Sequence, residues 1–364
     1  MTHQQPSSPA DHVPDDPTVD DAAPTVASDE SFVADKERGF FSRLYSGTGA
    51  FDIIGKRRNW YAVSALILLI CILSMIFRGF TLGIDFEGGT QISLPNKAPM
   101  TTSSVDEVVT EALDIAPQQV QTAGSGPSST IQIRMEHLDQ QQTARVSEGL
   151  AEAFAPAITV NDVSSSDVSS TWGNEITRKM VIALVVFLVV VFIYITIRFD
   201  REMSIAAMAS LFFDLVVTAG VYSLVGFEVT PAMVIGLLTI LGFSVYDTVV
   251  VFDKVEENTR GVFATRRRTY AEQTNLAVNQ TFMRSINTTI ISVLPIIALM
   301  VIAVWLLGVG TLKDLALVQL VGVVVGTYSS IYLASPLLVT LKERRKDVAE
   351  HTRKVLARRE RSAA

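Results

Sequence analysis

Apolar residues in this chain gather into long blocks instead of recurring at a helical or strand period. Six blocks stand out, at residues 60–77, 181–197, 203–226, 231–252, 286–308 and 315–341. A bilayer core takes about 20 apolar residues in helical form, so each block predicts a membrane-crossing helix. The stretch between the first two, residues 79–179, is polar and patterned differently. An extended segment at 90–94 follows Gly88 and Gly89. Val105, Val108, Val109, Ala112 and Leu113 then recur at helical spacing behind a Thr/Ser-rich cap. Strand-like alternation at 120–123 and 131–135 flanks the turn sequence Gly124-Ser125-Gly126-Pro127. A second amphipathic helix at 144–154 and a strand at 158–163 complete the order β-α-β-β-α-β, which predicts a ferredoxin-like unit. The expected fold is a polytopic α-helical membrane protein with six transmembrane helices and this α/β domain between the first and second.

Composition agrees with the pattern. Of 364 residues, 49% are hydrophobic and 18% charged, and mean hydropathy is +0.35. Soluble domains carry about a quarter of their residues as charges, so an ordinary soluble protein is excluded. The net charge of −7 comes largely from the N-terminal tail, where Asp11, Asp15, Asp16, Asp20, Asp21, Asp29, Glu30 and Asp35 precede the first lysine. That tail is rich in Pro, Ser and Thr and has little to bury, which predicts disorder. It lacks the basic and apolar regions of a cleaved signal peptide.

The remaining basic residues fall on one side of the predicted spans. Lys56, Arg57 and Arg58 precede the first, Arg198 and Arg201 separate the second and third, and Lys254, Arg260, Arg266, Arg267, Arg268 and Arg284 separate the fourth and fifth. Lys342, Arg344, Arg345 and Lys346 open a basic tail, whereas the short loops of the other side receive only Lys313. By the positive-inside rule both termini are cytoplasmic and residues 79–179 face outward. The domains read as tail 1–55, first helix 56–78, α/β domain 79–179, five-helix bundle 180–341 and basic tail 342–364. The basic clusters set topology and touch anionic headgroups, or they dock a cytoplasmic or ribosomal partner.

Little else invites chemistry. Cys71 is the one cysteine, and His3, His12, His137 and His351 are scattered, so neither a disulfide nor a metal site is predicted. No cofactor or nucleic-acid partner is expected, and no enzymatic reaction. The informative residues are ionisable groups inside the spans, each costing roughly 2.5–3.5 kcal/mol at mid-bilayer on an insertion scale. Asp214 falls near the middle of the third span. Asp247 lies in the fourth, about 9 Å inside its cytoplasmic boundary, flanked by Ser244, Tyr246 and Thr248. Each is either a hydrogen-bonded carboxyl that glues helices or a proton carrier. Arg284, just before the fifth apolar run, is either a snorkelling anchor or a cation that holds and releases a carboxylate. Gly322, Gly326, Ser330 and Ala334 form a small-residue stripe on the sixth span, and Gly236 and Gly242 flank the middle of the fourth, all read as helix-packing positions. Pro295 predicts a kink in the fifth.

Three motifs carry a family resemblance. LGIDFEGGTQI after the first span (Gly83, Asp85, Gly88 and Gly89 within it), GFSVYDTVVVFDKVEEN at the fourth span, and LVGVVVGTYSSIYLASPL in the last resemble the SecF family, the smaller half of bacterial SecDF. They stand in the family's order, over residues 56–342. The resemblance implies half of a resistance-nodulation-division-like transporter in the cytoplasmic membrane. It implies SecD as partner, the Sec channel (SecY, SecE, SecG) with its SecA motor, and use of the proton gradient to draw exported preproteins outward. It also implies proton-relay roles for Asp247 and Arg284, with Asp214 added from its depth. A small-molecule or lipid exporter subunit of similar fold is the alternative.

Overall fold

The computed structural model describes residues 51–123, 129–265, 267–302 and 310–363. The acidic tail, the turn at 124–127, Arg266 and the end of the fifth apolar block lie outside them. Among the described residues six helices are long and apolar enough to cross a membrane: Arg57–Phe77, Thr171–Arg198, Arg201–Val225, Pro231–Ala264, Tyr270–Ile302 and Leu312–Glu343. They are the first to sixth spans below. All six expected spans are present.

The spans divide into two layers by burial. Over their most apolar windows the third, fourth and sixth are 56%, 44% and 50% buried, whereas the first, second and fifth are each 11% buried. The inner trio meets through small residues. A Cβ added at Gly322 would collide with Ile240, and one at Gly236 with Val318, so the fourth and sixth spans lie with backbones close together. Gly326 continues that seam, its added Cβ 3.0 Å from the Ser244 side chain. Gly242 does not belong to it, because a Cβ there would meet nothing within 4 Å. Its position on the helix points it away from the sixth span. Gly220 gives the first span its seat on the third, where an added Cβ would strike Cys71.

The fifth helix starts at Tyr270, well before its apolar block. Thr269 and Glu272 form a capping box there, and Thr274, Ala277, Val278, Thr281 and Phe282 bury one face of the added turns. Packing and a cap thus make helix where no lipid-driven pattern exists. Residues just before the first span dock on that extension: Asn275 Oδ1 accepts from the backbone N–H of Ile53 and Ile54 at 3.0 and 3.1 Å. Pro295 lies inside this helix.

Six strands occur among the described residues: β1 (Thr81–Leu82), β2 (Gly89–Pro95), β3 (Gln119–Ala123), β4 (Thr130–Met135), β5 (Ser164–Val168) and β6 (Glu228–Val229). The middle four form one sheet in the order β3-β4-β2-β5, every neighbouring pair antiparallel. Helices Thr102–Leu113 and Gln140–Ala153 pack with it around Ile92, Leu94, Val105, Val109, Ile131, Ile133, Val146 and Leu150. The expected strand at 158–163 is displaced. Ile158 is a buried anchor, Val160–Asp162 is a 3₁₀ turn in which Asp162 accepts from the Thr159 N–H at 2.8 Å, and the strand follows as Ser164–Val168. That edge strand is serine-rich and exposed, so no apolar alternation marks it. The short parallel pair β1–β6 ties the exit of the first span to the loop between the third and fourth.

Candidate functional site: buried carboxylates of the helical bundle

Ser244 and Asp247 sit one turn apart on the fourth span, and both face the inner trio. Asp247 is 5% exposed. Its Oδ1 accepts from Ser285 Oγ of the fifth span at 2.8 Å, and its Oδ2 from Ser330 Oγ of the sixth. Asp214 of the third span is fully buried, and its Oδ2 accepts from Ser244 Oγ. Four spans are therefore joined through two carboxylates and three hydroxyls. Thr289 and Thr327 add a hydroxyl pair at 2.6 Å between the fifth and sixth.

Ser330 owes its aim to an irregularity. It opens a π-helical segment, Ser330–Ala334, in which each turn holds one residue more than the flanking α-helix. Such insertions turn a side chain to a new bearing and recur at functional sites. Ser335 Oγ donates to the Ser330 carbonyl at 3.1 Å, and Pro336 follows.

Arg284 lies near enough to Asp247 to act on it electrostatically but spends its hydrogen bond elsewhere. Its guanidinium donates to the Tyr246 hydroxyl at 3.2 Å, and both side chains lie on the exposed face of the fourth and fifth spans. Its neighbour Ser285 is the fifth-span group that reaches Asp247. Of the expected relay residues, Asp214 is bonded by Ser244, which lies one turn from Asp247 on the fourth span, and Arg284 is placed on the outer face. Gly236, Gly322 and Gly326 form the seam that brings the spans together, while Ser330 serves in the polar cluster as well as in the stripe. Sequence reasoning gives no role to Ser285 and leaves Ser244 as a mere flank. For Ser244 the signal available is a serine one turn before the intramembrane Asp247.

The motif after the first span builds a second polar centre where the α/β domain meets the bundle. Gly83 N–H donates to the Val229 carbonyl at 2.8 Å. Gly88 and Gly89 both take positive φ, 80° and 128°, and a Cβ at Gly89 would run into the Met135 carbonyl. These backbone angles turn the chain from helix Ile84–Glu87 into β2, and glycine alone adopts them at low cost. Asp85 then lines a polar cavity with Gln91, Gln121, Glu228, Lys313 and Asp314. Arg134, 8% exposed, bridges Glu87 at 2.8 Å and Glu228 at 3.3 Å. Burial pushes the Asp85 carboxyl above its ordinary range. Burial also raises Glu228, with Arg134 pulling the other way.

Six apolar spans with carboxylates buried between them define a multi-pass helical membrane protein. Two family models match the chain: Protein export membrane protein SecD/SecF, C-terminal, over residues 148–344, and the SecD/SecF GG Motif over residues 73–95. It is 62% identical over 325 residues to the protein translocase subunit SecF of Mycobacterium tuberculosis, covering 88% of this chain and 73% of that protein. The SecF of Streptomyces coelicolor is 39% identical, covering 89% and 85%. Among solved structures, SecDF from Thermus thermophilus, described as a translocon-associated membrane protein, superposes with a TM-score of 0.70 at 30% identity, over 81% of this chain and 39% of that one. The chain thus spans about two fifths of the fused SecDF polypeptide. It belongs to the SecF family of protein export membrane proteins.

Proposed function

We propose that this chain is an accessory subunit of the Sec preprotein translocase that works with SecD, using the proton gradient to promote export across the cytoplasmic membrane. The observation that carries the proton-driven part is Asp247, buried in the bundle yet bonded by hydroxyls from two other spans. A carboxylate held this way has a different hydrogen-bond demand when protonated, so each state favours its own arrangement of the three helices. The exposed Arg284–Tyr246 pair supports a place for SecD. A guanidinium on the outer face of two spans calls for a polar partner, and a SecD helix against that face supplies one and sets how far Arg284 leans toward Asp247.

The basic clusters support cytoplasmic termini and an outward α/β domain. The strand order β3-β4-β2-β5 with a helix in each crossover supports the ferredoxin-like assignment. The Sec channel, the SecA motor, exported chains and the bilayer are the partners that follow, and the chain carries no covalent chemistry of its own. A small-molecule exporter is not favoured, since the relatives are named as translocase subunits and the cavity beside the α/β domain is polar.

Vesicles holding this chain with its SecD partner test the reading. Asp247→Asn should leave folding and assembly intact and abolish both proton flux and gradient-dependent export. Normal flux and export in that variant would overturn the relay.

A further inference from the structure

The Asp214 carboxyl is approached by two hydroxyls, Ser244 on Oδ2 and Ser329 of the sixth span. Its Oδ1 has no hydrogen-bond partner among the described residues, and neither have Ser210 Oγ and Thr218 Oγ1. All three residues are at most 1% exposed. They follow one another on successive turns of the third span, about 6 Å apart along its axis. Serine and threonine in helices commonly bond the carbonyl four residues back, and here Ser210 and Thr218 forgo it. Buried polar groups are satisfied by protein or by ordered water, and a file of three gives water several partners at each step.

The file does not stop at Thr218. One turn further, the fully buried Tyr222 donates its hydroxyl to the Asp314 main-chain carbonyl at 2.9 Å. Thr230 donates to Asp314 Oδ2 at 3.2 Å. Asp314 and Thr230 line the polar cavity beside Asp85 and Glu228, under the α/β sheet. At its middle the file meets the fourth span, where Ser244 donates to Asp214 Oδ2 and stands one turn from Asp247.

We propose that the third span carries the outward leg of the proton path in this chain. Protons gathered at the cavity carboxylates pass through water held by Thr218 to Asp214, and on by way of Ser244 to Asp247. Asp214 takes one proton from the cavity side and gives one to the Asp247 side. Ser244, its hydroxyl rotated toward Asp247, accepts a proton on oxygen as it gives its own away, so neither residue changes its net protonation over a cycle. The proposal rests on the relay reading of Asp247 and adds to it a second carboxylate and an entrance.

Proton flux into vesicles holding this chain with its SecD partner, read by an internal pH dye under an imposed gradient, tests it. Thr218→Val keeps the side chain's shape and removes only a hydroxyl with no partner among the described residues, so the variant folds. Flux should fall in Thr218→Val and be lost in Asp214→Asn, with assembly unchanged. Full flux in both, together with a dead Asp247→Asn, overturns the third-span leg and leaves the relay standing. Raised thermal stability of Thr218→Val with full flux overturns that leg equally, because it marks a dry site. Conversely, loss in the third-span variants with normal flux in Asp247→Asn overturns the relay and leaves the file. Should Asp214→Asn fail to assemble, Thr218→Val decides alone.

Discussion

Beneath the four-stranded sheet, the buried residues are aliphatic: Ile92, Leu94, Val105, Ile131, Ile133 and Leu150 are each at most 1% exposed. At the middle of the bundle the residues buried as deeply include Ser210, Asp214, Thr218, Ser244, Ser329 and Ser330. The α/β unit has a uniformly oily core, whereas the bundle sets a polar cluster among buried apolar residues such as Leu241, Val251 and Phe252. In water the removal of apolar surface drives folding, so the α/β unit gains most by keeping its interior uniform. In lipid, burying an aliphatic side chain between helices gains little over leaving it among acyl chains, and packing and interhelical hydrogen bonds take over. A polar cluster is then tolerable in the bundle.

Substitutions in the two interiors should therefore have different consequences. The largest effect falls on the α/β core. Ile133→Ala removes a fully buried side chain and should destabilise that domain by about 2–5 kcal/mol. Hydrogen exchange should show faster opening of β2 and β4 and an unchanged sixth span; equal opening of both would mean that the two cores melt as one.

Next comes the seam of the bundle. Gly322→Leu drives a side chain into Ile240 and should cost roughly 1–3 kcal/mol by overpacking, visible as a lower melting temperature in detergent and weaker assembly. Gly242→Leu, placed where an added Cβ meets nothing, should fold normally and report on what covers that face. If Gly322→Leu proved as stable as Gly242→Leu, the close approach of the fourth and sixth spans would be wrong.

The smallest effect is a pH dependence at the junction of the two regions. Burial holds the Glu228 carboxyl above its unfolded value. The stability it contributes is present at low pH and is lost as pH rises through the folded pKa. The protein should therefore gain thermal stability on acidification through that range. In Glu228→Gln this gain should shrink, since the amide carries no charge to desolvate. An identical pH profile in the variant would show that another group carries the dependence.

The spans and the order of the α/β elements are legible because both rest on hydrophobic pattern over long windows. The fifth helix reads short since its first turns, from Tyr270, are built by a capping box and one buried face, which a lipid-length window does not register. β5 is misplaced for a related reason: its residues are serines on an exposed edge, and the apolar alternation ends one element early at Ile158 and Val163. Within the site, the carboxylates announce themselves by their cost in a membrane. Their partners do not, because a serine costs so little there that Ser244, Ser285 and Ser330 resemble their neighbours until the helices are brought together. Gly242 shows the converse limit: a glycine in a packed helix need not lie on the packed face.

The π segment has a mechanical meaning as well. A regular α-helix advances about 100° per residue, so the one extra residue in Ser330–Ala334 sets the two halves of the sixth span out of phase, like two sections of a shaft joined by a collar. The upper section keeps Gly322 and Gly326 pressed on the fourth span, while the lower runs to Lys342, which grips Asp200 at 2.6 Å. Ser330, in the collar itself, holds Asp247. A change in the charge of that one carboxylate would thus be applied at the place where the shaft is already interrupted.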